Sequence, residues 1–207
     1  MTADLDRIGP LHHWGGLFAT LPDSVQVLAE QFVAQVDLRV DPAGPAGADI
    51  AAYLGVALPE LPNTWAQGDT ATVIWLGPDE WLVTSPFVAP AELEAGLREA
   101  VGTDGAVVDV SAQRTTLRLR GEHAADVLAS GCAVDLHPSA FRAGSAAQTT
   151  VGRAGVVLLA LDDSASDYRL LVRSTFARYL ASWLLDAAQE YAVQEHAAQE
   201  HAAQEHA

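Results

Sequence analysis

The strongest constraint on this chain is an order of elements that comes round twice. Phe32, Ala34, Val36, Leu38 and Val40 alternate with other side chains, the period of two that marks a half-buried strand. Asp41-Pro42-Ala43-Gly44-Pro45 breaks that run. Residues 47–57 (GADIAAYLGVA) suit a short helix ended by Pro59 and Pro62. The apolar runs 71–76 and 80–85 flank Gly77-Pro78-Asp79. Proline fixes the backbone of the first central turn position and aspartate suits the second, so the pair reads as a tight hairpin. Pro90 opens a helix to about Val101 with acidic residues in its first turn, and residues 105–110 form the next strand.

The second half repeats the order. Thr115, Leu117 and Leu119 alternate with Thr116, Arg118 and Arg120, giving a strand with one charged face. Residues 122–129 read as a helix closed by Gly131. Strands follow at 148–152, 156–161 and 168–172, and Ser174 caps a helix through Asp186. The expected fold class is α+β, built of duplicated ferredoxin-like β-α-β-β-α-β halves. One domain spans 25–188, divided at about 25–110 and 111–188. Residues 1–24 form an N-terminal arm that packs or frays, and residues 189–207 form a low-complexity tail. In QEHAAQEHAAQEHA a repeat of five turns a helix by roughly 500°, so His196, His201 and His206 do not share the face that metal ligands need. The tail reads as solvated.

The formal net charge is −16, from 27 acidic and 11 basic residues, and every basic residue is arginine. Nucleic acid and anionic membranes are excluded as partners, because phosphate demands a basic footprint. The absence of lysine also excludes a Schiff-base or P-loop lysine. One cysteine, Cys132, excludes an internal disulfide and any multi-cysteine zinc or iron–sulfur site. MTADLDRIGPLHHWGG carries no secretion signal, and the apolar runs fall short of the roughly 18–20 residues of a membrane helix. The expected location is the cytoplasm. With 50% hydrophobic and 18% charged residues, the chain leaves room for a partner-facing surface.

No residue stands in a recognisable catalytic pattern. Cys132 reads as a packed, unreactive thiol, since neither His123 nor His137 belongs to a nucleophile signature. Asp109-Val110-Ser111 reads as a turn satisfying its own backbone. Arg114 could hold a carboxylate or a partner, because arginine presents a rigid donor fork. Arg118 and Arg120, on the polar strand face, and Trp14, in the arm, join Arg114 as candidate interface residues. Gly15-Gly16 and Gly152-Arg153-Ala154-Gly155 lack the strand-then-helix setting of a dinucleotide fingerprint. No catalytic, cofactor-binding or metal-binding residue is assigned.

Three segments carry a family resemblance. Residues 108–114 read Val-Asp-Val-Ser-Ala-Gln-Arg, residues 116–141 read TLRLRGEHAADVLASGCAVDLHPSAF, and residues 146–186 read AAQTTVGRAGVVLLALDDSASDYRLLVRSTFARYLASWLLD. With GPDEWLV at 77–83, they resemble the gamma subunits of heterotetrameric sarcosine oxidase, which are similar to the folate-binding fold of the glycine-cleavage T protein. That family oxidatively demethylates sarcosine with oxygen to glycine and hydrogen peroxide, and yields 5,10-methylenetetrahydrofolate when tetrahydrofolate is present. The resemblance implies a non-catalytic subunit bound to alpha, beta and delta partners. It places FAD, FMN, NAD and tetrahydrofolate in alpha and beta, and zinc in delta. The alternative is a stand-alone folate-binding protein. The aminomethyltransferase type needs a further C-terminal domain, for which the expected layout has no room. The iron–sulfur-maintenance type needs a Lys-Gly-Cys motif, where this chain has Ser130-Gly131-Cys132.

Overall fold

The computed structural model describes residues 7–205, with the side chains of 195–205 left out. In chain order the elements are α1 (Gly15–Phe18), β1 (Gln26–Glu30), β2 (Ala34–Val40), α2 (Gly47–Leu54), β3 (Trp65–Gln67), β4 (Thr72–Gly77), β5 (Glu80–Ser85), α3 (Pro90–Val101) and β6 (Gly105–Asp109). Then come β7 (Arg114–Arg120), α4 (Ala124–Ala129), β8 (Ala146–Val151), β9 (Ala154–Ala160), β10 (Asp167–Arg173), a 3-10 turn at Ser174–Phe176, and α5 (Ala177–Glu205).

The strands form two five-stranded sheets, ordered β3-β4-β5-β2-β6 and β8-β9-β10-β7-β1. Every pairing is antiparallel. The two orders correspond position by position, with β1 filling in the second sheet the place that β6 fills in the first. β1 lies before the expected division at 110/111 yet pairs with β7, Gln26 opposite Arg120 and Glu30 opposite Thr116. The expected strand also starts later than its pattern: Phe32 has a positive φ of 58° and belongs to the β1–β2 turn.

Period-two patterning gives each sheet an outer face covered by helices. On the first sheet, Val36, Leu38 and Val83 pack under Ile50 and Leu54 of α2 and Leu93 and Leu97 of α3. On the second, Leu117, Leu119, Tyr168 and Leu170 pack under Val127 and Leu128 of α4 and Leu180 and Leu184 of α5. Full burial of a Leu-sized side chain contributes about 1.5–3 kcal/mol, so these layers drive the fold. A third cluster joins the inner faces: Ile74 and Leu82 of the first sheet meet Val157, Leu159 and Leu171 of the second. The Trp65 indole donates to the Ala160 carbonyl at 3.0 Å across the same junction.

Three local expectations change. Helix α2 stops at Leu54 because Gly55 turns left-handed, φ 71°, and a Cβ there would lie 2.6 Å from the Asp69 carboxyl group. Ser174 does not cap a helix; its hydroxyl donates to the Ala112 carbonyl at 3.0 Å, and the chain passes through the 3-10 turn first. Helix α5 runs on to Glu205 rather than ending at Asp186, since the Ala-, Gln- and Glu-rich repeats are strong helix formers. His196 and His201 lie outside the residues whose side chains are described, and His206 lies outside the described residues altogether. In the arm, Leu11 and Phe18 are buried in the second sheet's core, so residues 11–18 pack on the chain itself.

Candidate functional site

The inner face of the second sheet carries the charges that the sequence placed on one strand face. Arg118 and Arg169 stand directly opposite each other on β7 and β10, an arrangement that repels unless it is neutralised. Carboxylates do so for both. Arg118 Nε donates to Asp167 Oδ1 at 2.8 Å, while its Nη2 donates to Oδ2. Arg169 donates from Nε and Nη2 to the two Glu30 oxygens at 2.7 and 2.9 Å. Both are two-point forks, the strong form of the interaction. The Asp167 hydrogen bond raises the Arg118 pKa against the opposing effect of burial. Arg120 Nε donates to Gln26 Oε1 at 2.8 Å on the neighbouring β1.

Of the four candidate interface residues, Arg118 and Arg120 are thus engaged within the chain. Trp14 is half-buried against the second sheet's core, 6.0 Å from the Phe18 ring; it anchors the arm to its own domain. Arg114 differs, with no ion pair to a described residue. Burial first, then the neighbouring Arg173 charge, holds its pKa down, against Asp37 and Glu80, which pull it up.

Arg114 lines a cavity of about 480 Å³ where the β1–β2 and β6–β7 connections pass between the sheets. Leu11, Ala29 and Val33 give it apolar wall, and Gln35, Ser111, Thr116 and Ser174 give it polar groups. Ser111 organises one side. Its backbone N–H and hydroxyl donate to Asp109 Oδ1 at 2.9 and 2.6 Å, and its oxygen accepts the Gln35 N–H at 2.9 Å. The Gln35 side-chain amide donates to the Arg114 carbonyl at 3.1 Å. Gln35 and Thr116 are each 1% exposed, yet Gln35 Oε1 and Thr116 Oγ1 have no hydrogen-bond partner. Sequence reasoning passed over both. Their signal was weak, a polar residue at the alternate positions of an apolar strand, which reads as facing solvent.

The remaining residues singled out from sequence lie apart from this cavity. Cys132 is partly buried against the second core. The His123 ring meets Asp126 at 3.1 Å and stacks on Tyr191, and His137 Nδ1 meets Ser139 at 2.7 Å, so neither histidine serves the thiol. Gly152 and Arg153 link β8 to β9, with the Arg153 N–H donating to the Tyr179 hydroxyl at 3.0 Å. Among the described residues, no three His, Cys, Asp or Glu side chains gather to hold a metal, and no helix is long and apolar enough to cross a membrane.

Similarity to known proteins fits this geometry. The family model "Sarcosine oxidase, gamma subunit family" matches residues 39–190. The sarcosine oxidase subunit gamma of Corynebacterium sp. strain P-1 is 37% identical over 190 residues, covering 90% of this chain and 92% of its own length. That of strain U-96 is 37% identical over 163 residues, covering 78% of each. A chain of the heterotetrameric sarcosine oxidase of Corynebacterium sp. U-96, solved in complex with pyrrole 2-carboxylate, superposes with TM-score 0.81 at 33% identity, covering 90% of this chain and 96% of that one. The glycine cleavage system aminomethyltransferase T of Bartonella henselae shares the fold, with TM-score 0.53 at 13% identity over 81% of this chain and 47% of that one. By sequence and by structure, this chain belongs to the sarcosine oxidase gamma subunit family.

Proposed function

We propose that this chain is the non-catalytic gamma subunit of a cytoplasmic heterotetrameric sarcosine oxidase, assembled with alpha, beta and delta subunits. The reaction is the oxidative demethylation of sarcosine to glycine and hydrogen peroxide, yielding 5,10-methylenetetrahydrofolate when tetrahydrofolate is present. The observation that carries this reading is the match in length and shape to a chain of a solved oxidase, 96% of which is covered at TM-score 0.81. FAD, FMN, NAD, tetrahydrofolate and zinc are assigned to the partner subunits. Supporting that assignment, the described residues offer no gathered metal-donor set and the sequence no glycine-rich phosphate loop.

We read the fold as two ferredoxin-like units, about 25–110 and 111–188, with β1 exchanged to complete the second. The identical strand order of the two sheets supports this. In each, a later strand stands between the strand before the first helix and the strands after it, β5 between β2 and β4 and β10 between β7 and β9, the arrangement of a split βαβ unit. The partner-facing surface is drawn at apolar side chains standing in water, Leu61 and Phe87, at 73% and 79% exposure. Isolated apolar residues are ordinary on a surface, but aromatic and Leu-sized anchors concentrate binding energy once covered.

Sarcosine-dependent oxygen uptake tests the division of labour. The purified chain alone is expected to consume none, and the co-expressed set of subunits to consume it steadily. Turnover by the isolated chain would overturn the non-catalytic reading.

A further inference from the structure

The cavity at Arg114 is not explained by a scaffolding role. Three arginines on this inner sheet face are satisfied inside the chain: Arg118 by Asp167, Arg169 by Glu30, and Arg120 by Gln26. Arg114 keeps a guanidinium without an ion pair to a described residue. It sits beside the like charge of Arg173, where an added anion would be welcome.

The wall holds two further unsatisfied groups. An orphaned buried polar atom costs free energy until something pairs with it, and Gln35 Oε1 and Thr116 Oγ1 are both orphaned in residues lining this one cavity. Gln35 Oε1 can only accept, so it calls for an N–H or O–H donor. The Thr116 hydroxyl can donate or accept. The two carboxylates in the wall do not compete for Arg114, because Glu30 is forked by Arg169 and Asp109 holds Ser111.

Size and lining point the same way. A volume of about 480 Å³ falls in the ~300–1,000 Å³ range of small-molecule sites, which are mostly apolar with a few converging polar groups. At the mouth, Phe32 is held at φ 58°, a strained value for a bulky residue, with its ring half in solvent. Such strain collects at ligand clamps.

We propose that this cavity binds a small organic carboxylate that also carries a hydrogen-bond donor, its acid group on Arg114 and its donor on Gln35, with its apolar body against Leu11, Ala29 and Val33. An N-acylated amino acid has this chemistry: a carboxylate, an amide N–H and an apolar group. The site is independent of assembly, so it stands or falls separately from the subunit reading.

Hippurate, which is N-benzoylglycine, serves as the probe, titrated calorimetrically into the full chain and into the assembled oxidase. Saturable binding at one site is expected in both. Arg114→Gln should weaken it about tenfold or more, as the loss of a charge-assisted pair requires, and Thr116→Val should weaken it less. Arg153→Gln, on the distant β8–β9 hairpin, should leave it unchanged. Thermal melts confirm that each variant is folded, and Arg114→Lys, which keeps the charge but not the fork, should fall between wild type and Arg114→Gln. Failure of the wild-type chain to saturate through the millimolar range would overturn the site, and so would equal affinity in a folded Arg114→Gln variant. Binding by the isolated chain that vanishes on assembly would assign the cavity to a partner's carboxylate and also overturn the small-molecule site.

Discussion

Two stretches of the inner face of the second sheet use arginine in opposite ways. Around Arg118 and Arg169, two cations and two carboxylates from β1, β7 and β10 close on one another as paired forks. Four residues before Arg118 on the same strand, Arg114 faces a cavity and is paired with no described carboxylate. The first stretch is complete within the chain. The second is complete only when something else arrives. What separates them is the neighbouring strand: β1 ends at Glu30, so it supplies a carboxylate to Arg169 but runs out beside Arg114.

The contrast can be broken from the paired side first. Glu30→Ala should destabilise the chain by about 2–3 kcal/mol, because it strands the Arg169 guanidinium, whose side chain is only 19% exposed, without its partner. Replacing both partners by methionine should return stability to within about 1 kcal/mol of wild type, since a buried pair is worth little over apolar packing. Urea unfolding of the single and double variants measures both. A Glu30→Ala variant as stable as wild type would mean that the fork contributes nothing.

On the open side, Arg114→Met should be neutral or slightly stabilising for the isolated chain, within about 1 kcal/mol, because it removes a poorly compensated charge. The same unfolding experiment sharpens the comparison. A loss as large as that of Glu30→Ala would show that Arg114 is satisfied internally after all.

The smallest effect lies on the outer face of β10. Tyr168 is buried with an unpartnered hydroxyl, and burial, aided by Asp162 and Cys132, pushes its pKa up to about 12. The unfolded phenol ionises near its ordinary value of about 10. The unfolded state therefore loses this proton first, and the Tyr168 contribution, fully present below about pH 10, is lost as pH rises towards 12. Tyr168→Phe should change stability at neutral pH by about 0.5 kcal/mol or less and should flatten that alkaline decline. A decline of equal slope in the variant would trace it to other groups.

How much of this was legible in the sequence depends on how local each signal was. Strand β5 and helix α3 begin where Pro78-Asp79 and Pro90 punctuate the chain. The charged face of β7 follows from alternation alone. By contrast, β1 was missed in the sequence although Val25, Val27 and Ala29 alternate, and nothing local says that it pairs with β7 rather than β2. The fates of the arginines were equally hidden. Arg118 reaches Asp167 and Arg169 reaches Glu30, separations of 49 and 139 residues set entirely by sheet register. Resemblance named the family, but the cavity could be seen only after the two connections were placed together between the sheets.

The subunit reading is tested most directly by the mass of the co-expressed complex. Affinity capture on this chain, followed by native mass spectrometry, should give one species containing it together with three other subunits, with flavin travelling in the same fraction. Recovery of the chain as a lone, folded protein while its would-be partners assemble without it would contradict that reading.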